Sequence, residues 1–370
     1  MAKREKKKEN KRRLLLLIVL LVLTGVMLGT ASYAWFTSNK KVSVENLNVD
    51  VRAVNGLEIS ADAVNWGVKI DKDNLISNEW VDQNNQLPDT LGNVSTVTDV
   101  VEDDNGNNYI QFFDGSVATE CPNGEPDCEN ATYTLTAFKK GEKRCYDTNS
   151  AGDANNTSID KCGTTGKHLM AFDIFLKVDK DNTKLYLTEN ATVENTGATD
   201  LGIKNTTRVA FLNRGFVDYT TYRDGDADTG EDGTTIAQSL NEAGVVKLWE
   251  PNAYSHTSAG VAAARTFYGI TNLTAGDSNS AVAYEGVKAE ITSPIDLTKT
   301  NSTQYPAYFQ AVTPDYKTEA TGHNRIDTGI VLNSGVTKIR VYFWVEGQDV
   351  DTENRATGSN MRLKLEFSID

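Results

Sequence analysis

Near the end of the chain, Ile339, Val341, Phe343 and Val345 alternate with Arg340, Tyr342, Trp344 and Glu346. Beyond the loop from Gly347 to Asn360, Met361, Leu363, Leu365, Phe367 and Ile369 alternate with Arg362, Lys364, Glu366 and Ser368. An extended strand sends successive side chains to opposite faces, so a strict period of two restricts both segments to β-structure. Two such segments joined by a loop predict a terminal antiparallel hairpin with one buried face. Tyr342 and Trp344 lie on the other face. They are core if a second layer covers that face, and a sugar- or partner-binding surface if none does.

The same pattern recurs upstream. Val42 and Val44, then Leu47, Val49, Val51 and Ala53, alternate with polar neighbours. Phe172, Ile174, Leu176 and Val178 share one face, with Asp173 and Lys177 opposite. Leu185 and Leu187 follow the turn Asp181-Asn182, and Arg208 to Leu212 and Val245 to Trp249 are shorter strand candidates. Trp249 reads as packing at a strand end, with Pro251 closing the strand. Helix signals are few: Thr235 to Val246 fits a short helix and Ala262 to Thr266 a turn. Many short strands with joints rich in Asn, Asp, Gly and Thr predict an all-β fold. The expected form is an antiparallel β-sandwich or jelly-roll-like body with loop-rich insertions, preceded by one N-terminal hydrophobic helix. Residues 100–165 are rich in Asn, Asp, Gly and Cys and read as such an insertion. Residues 222–234 read the same way.

The N-terminus sets an address. No charge occurs from Leu14 to Ser38, and Leu14 to Leu28 is almost continuously apolar. Eight basic residues and two acidic ones precede Trp35, a net charge of +6. Since the whole chain carries −14, the remainder carries −20. Basic residues before an apolar run hold the N-terminus inside and send the following chain across the membrane. The remaining chain is too acidic for phosphate backbones, which need clustered Lys and Arg, so nucleic acid is excluded as a partner. Residues 1–34 are thus a signal peptide or a membrane anchor, and residues 35–370 are an extracellular body, secreted or held at the cell surface. Ser32-Tyr33-Ala34 places small residues where a signal peptidase reads them, so cleavage would fall between Ala34 and Trp35. Alternatively, Trp35 and Phe36 sit in the interface of an uncleaved, single-pass helix.

The segment Gly29-Thr30-Ala31-Ser32-Tyr33-Ala34-Trp35-Phe36-Thr37-Ser38, with Asn46 and Gly56-Leu57-Glu58-Ile59, resembles the signal-peptide junction and first strand of the TasA/camelysin-like secreted surface proteins of Gram-positive bacteria. The resemblance covers about residues 14–60. Asn39 and Lys40 stand where that family usually has an acidic residue, and the body is longer than in its fibre-forming members. The resemblance implies cleavage by a dedicated signal peptidase and a structural role in an extracellular matrix or biofilm. Members are often labelled metallopeptidases, but no residue here carries that activity over. The three histidines, His168, His256 and His323, form no His-Glu-x-x-His pair. No nucleophile elbow, P-loop or dinucleotide fingerprint is present. The expectation is a non-enzyme without a required cofactor.

Two other clusters carry chemistry. Cys121, Cys128, Cys145 and Cys162 are an even set in an exported chain, which favours disulfides. Pairing Cys121 with Cys128 and Cys145 with Cys162 closes the shortest loops, at ~2–3 kcal/mol each; three connectivities remain open. Asp224, Asp226, Asp228 and Asp232 offer carboxylates along one loop, a spacing that suits calcium. Thr229 and Thr235 stand where an EF-hand needs Gly and Glu, and an acidic turn in solvent is the plain alternative. Two function classes follow. One is a surface or matrix component that assembles with itself, or with other matrix components, by adding its Trp35–Val51 strand to a neighbouring sheet. The other is a tethered or secreted binding module, an adhesin or a sugar- or calcium-binding ectodomain.

Overall fold

The computed structural model of the chain describes residues 44–78, 80, 83–103, 106–117, 133–138, 145–146, 168–197, 203–252, 284–295, 307–315, 325–349, 351 and 359–370. Strands β1 (Val44–Ala53), β2 (Glu58–Ser60) and β3 (Lys69–Asp71) lead into helix α1 (Lys72–Ser77). Short strands follow: β4 (Gln86–Leu87), β5 (Asn93–Val94), β6 (Val100–Glu102), β7 (Asn108–Ile110), β8 (Phe112–Val117), β9 (Tyr133–Phe138) and β10 (Cys145–Tyr146). Next come β11 (Leu169–Val178), β12 (Thr183–Leu187), β13 (Thr192–Asn195), a 3-10 turn (Ile203–Thr206) and β14 (Thr207–Asp218). Helices α2 (Tyr219–Asp224) and α3 (Gly233–Ser239) precede β15 (Val246–Trp249), β16 (Tyr284–Val287), β17 (Ile291–Ile295) and β18 (Phe309–Val312). The chain closes with β19 (Ile326–Leu332), β20 (Gly335–Glu346) and β21 (Ser359–Ile369). The described protein is thus mostly β, as the alternation predicts.

Two large sheets organise it. One runs β19-β12-β21-β1-β3, with β13 also on β21; the other runs β10-β4-β11-β20-β14-β15, with β2 on β11 and β5 on β20. One core cluster draws on both. Val49, Val51, Leu363 and Leu365 come from the first sheet, and Phe172, Ile174, Val341 and Phe343 from the second. Phe211 on β14 and Phe367 on β21 meet edge to face at 5.6 Å. The turn Asn55-Gly56 carries the chain from β1 in the first sheet to β2 in the second. Both residues have positive φ, 62° and 85°, a conformation open to Asn and Gly at little steric cost.

The expected terminal hairpin does not form. β20 pairs with β11 and β14, whereas β21 pairs with β1, β12 and β13 in the other sheet. The apolar faces of the two strands meet through the shared core instead of side by side. Alternation marks which face is buried but not which sheet receives the strand, and the connection between Glu346 and Ser359 is long enough to change sheets.

The single buried face was also too simple for β20, where every residue is buried. A second cluster covers its far side, including Ile110, Phe112, Leu169, Tyr342 and Trp344. Phe112 lies 5.9 Å from the Tyr342 ring and 5.1 Å from Trp344. Its strand belongs to the compositionally distinct 100–165 stretch, so part of that stretch is a covering layer. The helix expected over Thr235–Val246 begins and ends earlier. The Asp232 side chain accepts from the Thr235 amide and caps α3 ahead of Gly233, and the backbone leaves the helical conformation at Leu240.

Candidate functional site

Ala34, Trp35, Cys121, Cys128 and Cys162 lie outside the described residues, as do His256 and His323. Cys145 begins β10, its backbone opposite Gln86 in parallel register. No helix among the described residues is long and apolar enough to cross a membrane; the Leu14–Leu28 run is not among them. Tyr342, Trp344 and Trp249 are buried, so their aromatic rings serve as core and not as a ligand-stacking surface.

The acidic loop is bound to its own backbone and to a neighbouring cation. Both carboxylate oxygens of Asp224 accept from the Arg223 guanidinium, at 2.7 and 2.6 Å. Asp226 accepts from the Asp228 amide at 2.8 Å, and Asp232 from the amide and hydroxyl of Thr235. These bonds hold Asp232 below its ordinary pKa, the Thr235 amide being the largest cause. Among the described residues, no group of three or more His, Cys, Asp or Glu side chains is placed to hold a metal ion.

The polar side chains of the second sheet converge on its outer face. Asp173 on β11 faces Arg340 on β20, directly across in register, at 3.0 Å; Lys338 stands 3.7 Å away. Arg340 also donates to the side chain and carbonyl of Asn84, and Lys338 to the Gln238 carbonyl at 2.6 Å. Arg214 on β14 donates to the Asn108 carbonyl and the Asn241 side chain. Asp173, Arg214, Lys338 and Arg340 are all buried. The alternation puts Asp173 and Arg340 on a face that looks solvent-directed. The only sequence hint otherwise is their company: Tyr342 and Trp344 share that face, and bulky aromatics in a row are unusual toward water.

Burial here works against charge. It pulls the Lys338 pKa down from 10.5 to about 8; Asp173 opposes the change, and Arg214 and Arg340 reinforce it. A depressed folded-state pKa means stability is gained above the unfolded value, near pH 10.5, and lost as pH falls through about 8. At pH 7 the charged ammonium is, net of the Asp173 attraction, disfavoured by roughly 3 kcal/mol relative to the unfolded chain. Lys338→Met keeps the stem and removes the charge, and Arg340 still faces Asp173. The variant should therefore melt at the same temperature as the parent or higher at pH 7, and lack the parent's gain between pH 8 and 10.5. Melting curves at pH 7 and pH 10 check this; a clear loss at pH 7 would refute it.

A second ionic group sits at one end of the same sheet. Arg208 on β14 faces Asp349 at 2.6 Å and Glu250 at 3.2 Å, all three almost fully buried. Its other terminal nitrogen, Nη1, donates to the carbonyls of Asn205 and Thr207. Both ionic groups join residues that lie far apart along the chain.

The first strand is the remaining feature with a functional bearing. β1 lies parallel to β21 along most of its length, from Val44 opposite Ser359 to Ala53 opposite Phe367, with an irregularity between Glu45 and Asn48. On its other side β3 pairs with only Asp50, Val51 and Arg52. Val49, Val51 and Ala53 point into the shared core, while Asn48 and Arg52 are exposed. The segment predicted to follow the export junction thus fills a near-edge position in a sheet whose core it helps to complete. No family model matches the chain, and no similar curated protein or solved structure was found.

Proposed function

We propose that this chain is an exported structural protein of the cell surface or extracellular matrix, without catalytic activity. Its body would be a β-sandwich of the two large sheets, and its first strand the assembly element. The position of β1 carries the reading. It is N-terminal, nearly at a sheet edge, and joined to its neighbour by backbone bonds that do not depend on side-chain identity. Such a strand can be supplied by another copy without redesign of its seat, and head-to-tail repetition makes a filament. The resemblance of residues 14–60 to the TasA/camelysin-like proteins points the same way. So does the +6 charge ahead of the apolar run, which orients the chain for export.

One observation favours the second reading, a monomeric binding module. β1 is seated on β21 of its own chain, so the sheet is complete without a partner. Chain beginning at Trp35 is expected to form fibres visible by electron microscopy, and chain lacking Trp35–Asn46 to stay monomeric. Equal assembly by both would remove strand addition. No polymer from either would leave the monomeric module, and N-terminal sequencing of surface material would then show whether Leu14 is retained.

A further inference from the structure

On the outer face of β20, three buried cations stand around one buried carboxylate. Arg214, Lys338 and Arg340 are exposed by only 4%, 6% and 1%. Asp173 faces two of them, Arg340 at 3.0 Å and Lys338 at 3.7 Å. Arg214 sits in the irregularity of β14 between Asn213 and Phe216. Among the described residues no carboxylate is within ion-pair distance of it; Asp173 and Asp103 act on it from farther away. The three cations share one field. On top of burial, the largest cause in each case, Arg214 and Arg340 disfavour the charge on Lys338, and Arg340 that on Arg214.

Four hydrogen-bond donors in the same cluster meet no acceptor among the described residues. The Nε–H groups of Arg214 and Arg340 are two of them, and the side-chain nitrogen of Asn85 is the third. The Asn85 oxygen already accepts from the Asp173 amide at 2.9 Å, so the unpaired end is the nitrogen. The fourth is the buried Tyr342 hydroxyl, which accepts from the Ile110 amide at 3.3 Å while its own proton goes unmatched. The Tyr342 ring lies 5.6 Å from the Arg340 guanidinium, and Asp173 is directly opposite Arg340 in register. Buried donors are normally paired, because an unpaired one has given up water for nothing.

A neutral water oxygen would answer the donors and leave the excess positive charge in place. A small anion answers both, through charge-assisted hydrogen bonds. We propose that Arg214, Arg340, Asn85 and Tyr342, with Lys338 alongside, bind one small inorganic anion of the halide class between β11, β20 and β14. These side chains are all buried, so the ligand must be enclosed, which favours chloride over a phosphate ester or a carboxylated peptide. Bound there, the anion fastens the segment before β4 to the middle of the second sheet. The site is independent of how the chain assembles, so it stands or falls apart from strand addition.

The test uses the full chain, kept in non-ionic detergent to shield Leu14–Leu28, with chloride exchanged for gluconate, an anion too bulky for an enclosed site, at constant ionic strength. Each tenfold rise in chloride above the dissociation constant should raise the folded-to-unfolded ratio roughly tenfold, the linkage for one anion held by the folded chain alone. Asn85→Asp places a carboxylate among the same cations and keeps the oxygen that meets the Asp173 amide, so its ratio should not vary with chloride. A parent indifferent to chloride would overturn the proposal and leave water as the partner of these donors. Equal responses in parent and variant would overturn it as well, because chloride would then act elsewhere on the chain. Should the variant not fold, the parent alone decides: roughly tenfold per decade of chloride upholds the site, and less than about twofold overturns it.

Discussion

Replacing Arg208 with methionine is expected to lower stability by about 3–5 kcal/mol at neutral pH. The guanidinium is fully buried, and both Asp349 and Glu250 face it with almost no exposure to solvent. Methionine fills much of the same space, so little of the loss comes from a cavity. The loss comes from two buried carboxylates deprived of the cation they share, in a setting where desolvation of a charge is costly. Acid should soften the effect, because protonating those carboxylates removes the repulsion that the missing cation had offset. Urea denaturation of parent and variant at pH 5 and pH 8 measures both effects. A deficit below about 1 kcal/mol at pH 8, or one that grows on acidification, would contradict this account of the buried triad.

Phe211→Ala and Phe367→Ala should each cost about 3–5 kcal/mol, the usual range for truncating a buried phenylalanine. The two rings come from different sheets and meet edge to face at 5.6 Å with an interplanar angle of 77°. Rings so disposed attract through their quadrupoles, so the double variant should lose less than the sum of the singles. The expected coupling is ~0.5–1.5 kcal/mol beyond area burial. Urea denaturation of the four chains gives it directly. Strict additivity would mean that the rings do not touch in solution and that the two sheets do not share this core.

The strands were legible because their residues repeat with the period of the pleat. Val49, Val51 and Ala53, then Phe172, Ile174, Leu176 and Val178, all turn inward as alternation requires. The terminal pair shows where that reading stops. Ile339–Val345 and Met361–Phe367 are correctly oriented, yet they belong to different sheets. Backbone hydrogen bonds between strands look alike whatever the side chains, so nothing local to β21 names β1 as its neighbour.

The candidate sites divide along similar lines. The carboxylates of the Asp224–Asp232 loop were conspicuous because they are close in sequence, yet three of the four accept hydrogen bonds from within the loop and its flanking helices. Asp173 with Arg340, and Arg208 with Glu250 and Asp349, leave no local signature because each group joins residues far apart along the chain. Charged residues alternating with apolar ones look the same whether their face meets water or another layer.

By itself, the sequence determined that the described body is built of strands and which side of each enters the main core, because side-chain alternation is a property of the single extended chain. Only the tertiary structure decided which strands are neighbours, that the outer face of β20 is covered, and that Asp173, Arg208, Arg340 and Glu346 are buried. Those outcomes depend on where distant segments come to rest, and a buried charge becomes tolerable only when its partner arrives from elsewhere in the chain.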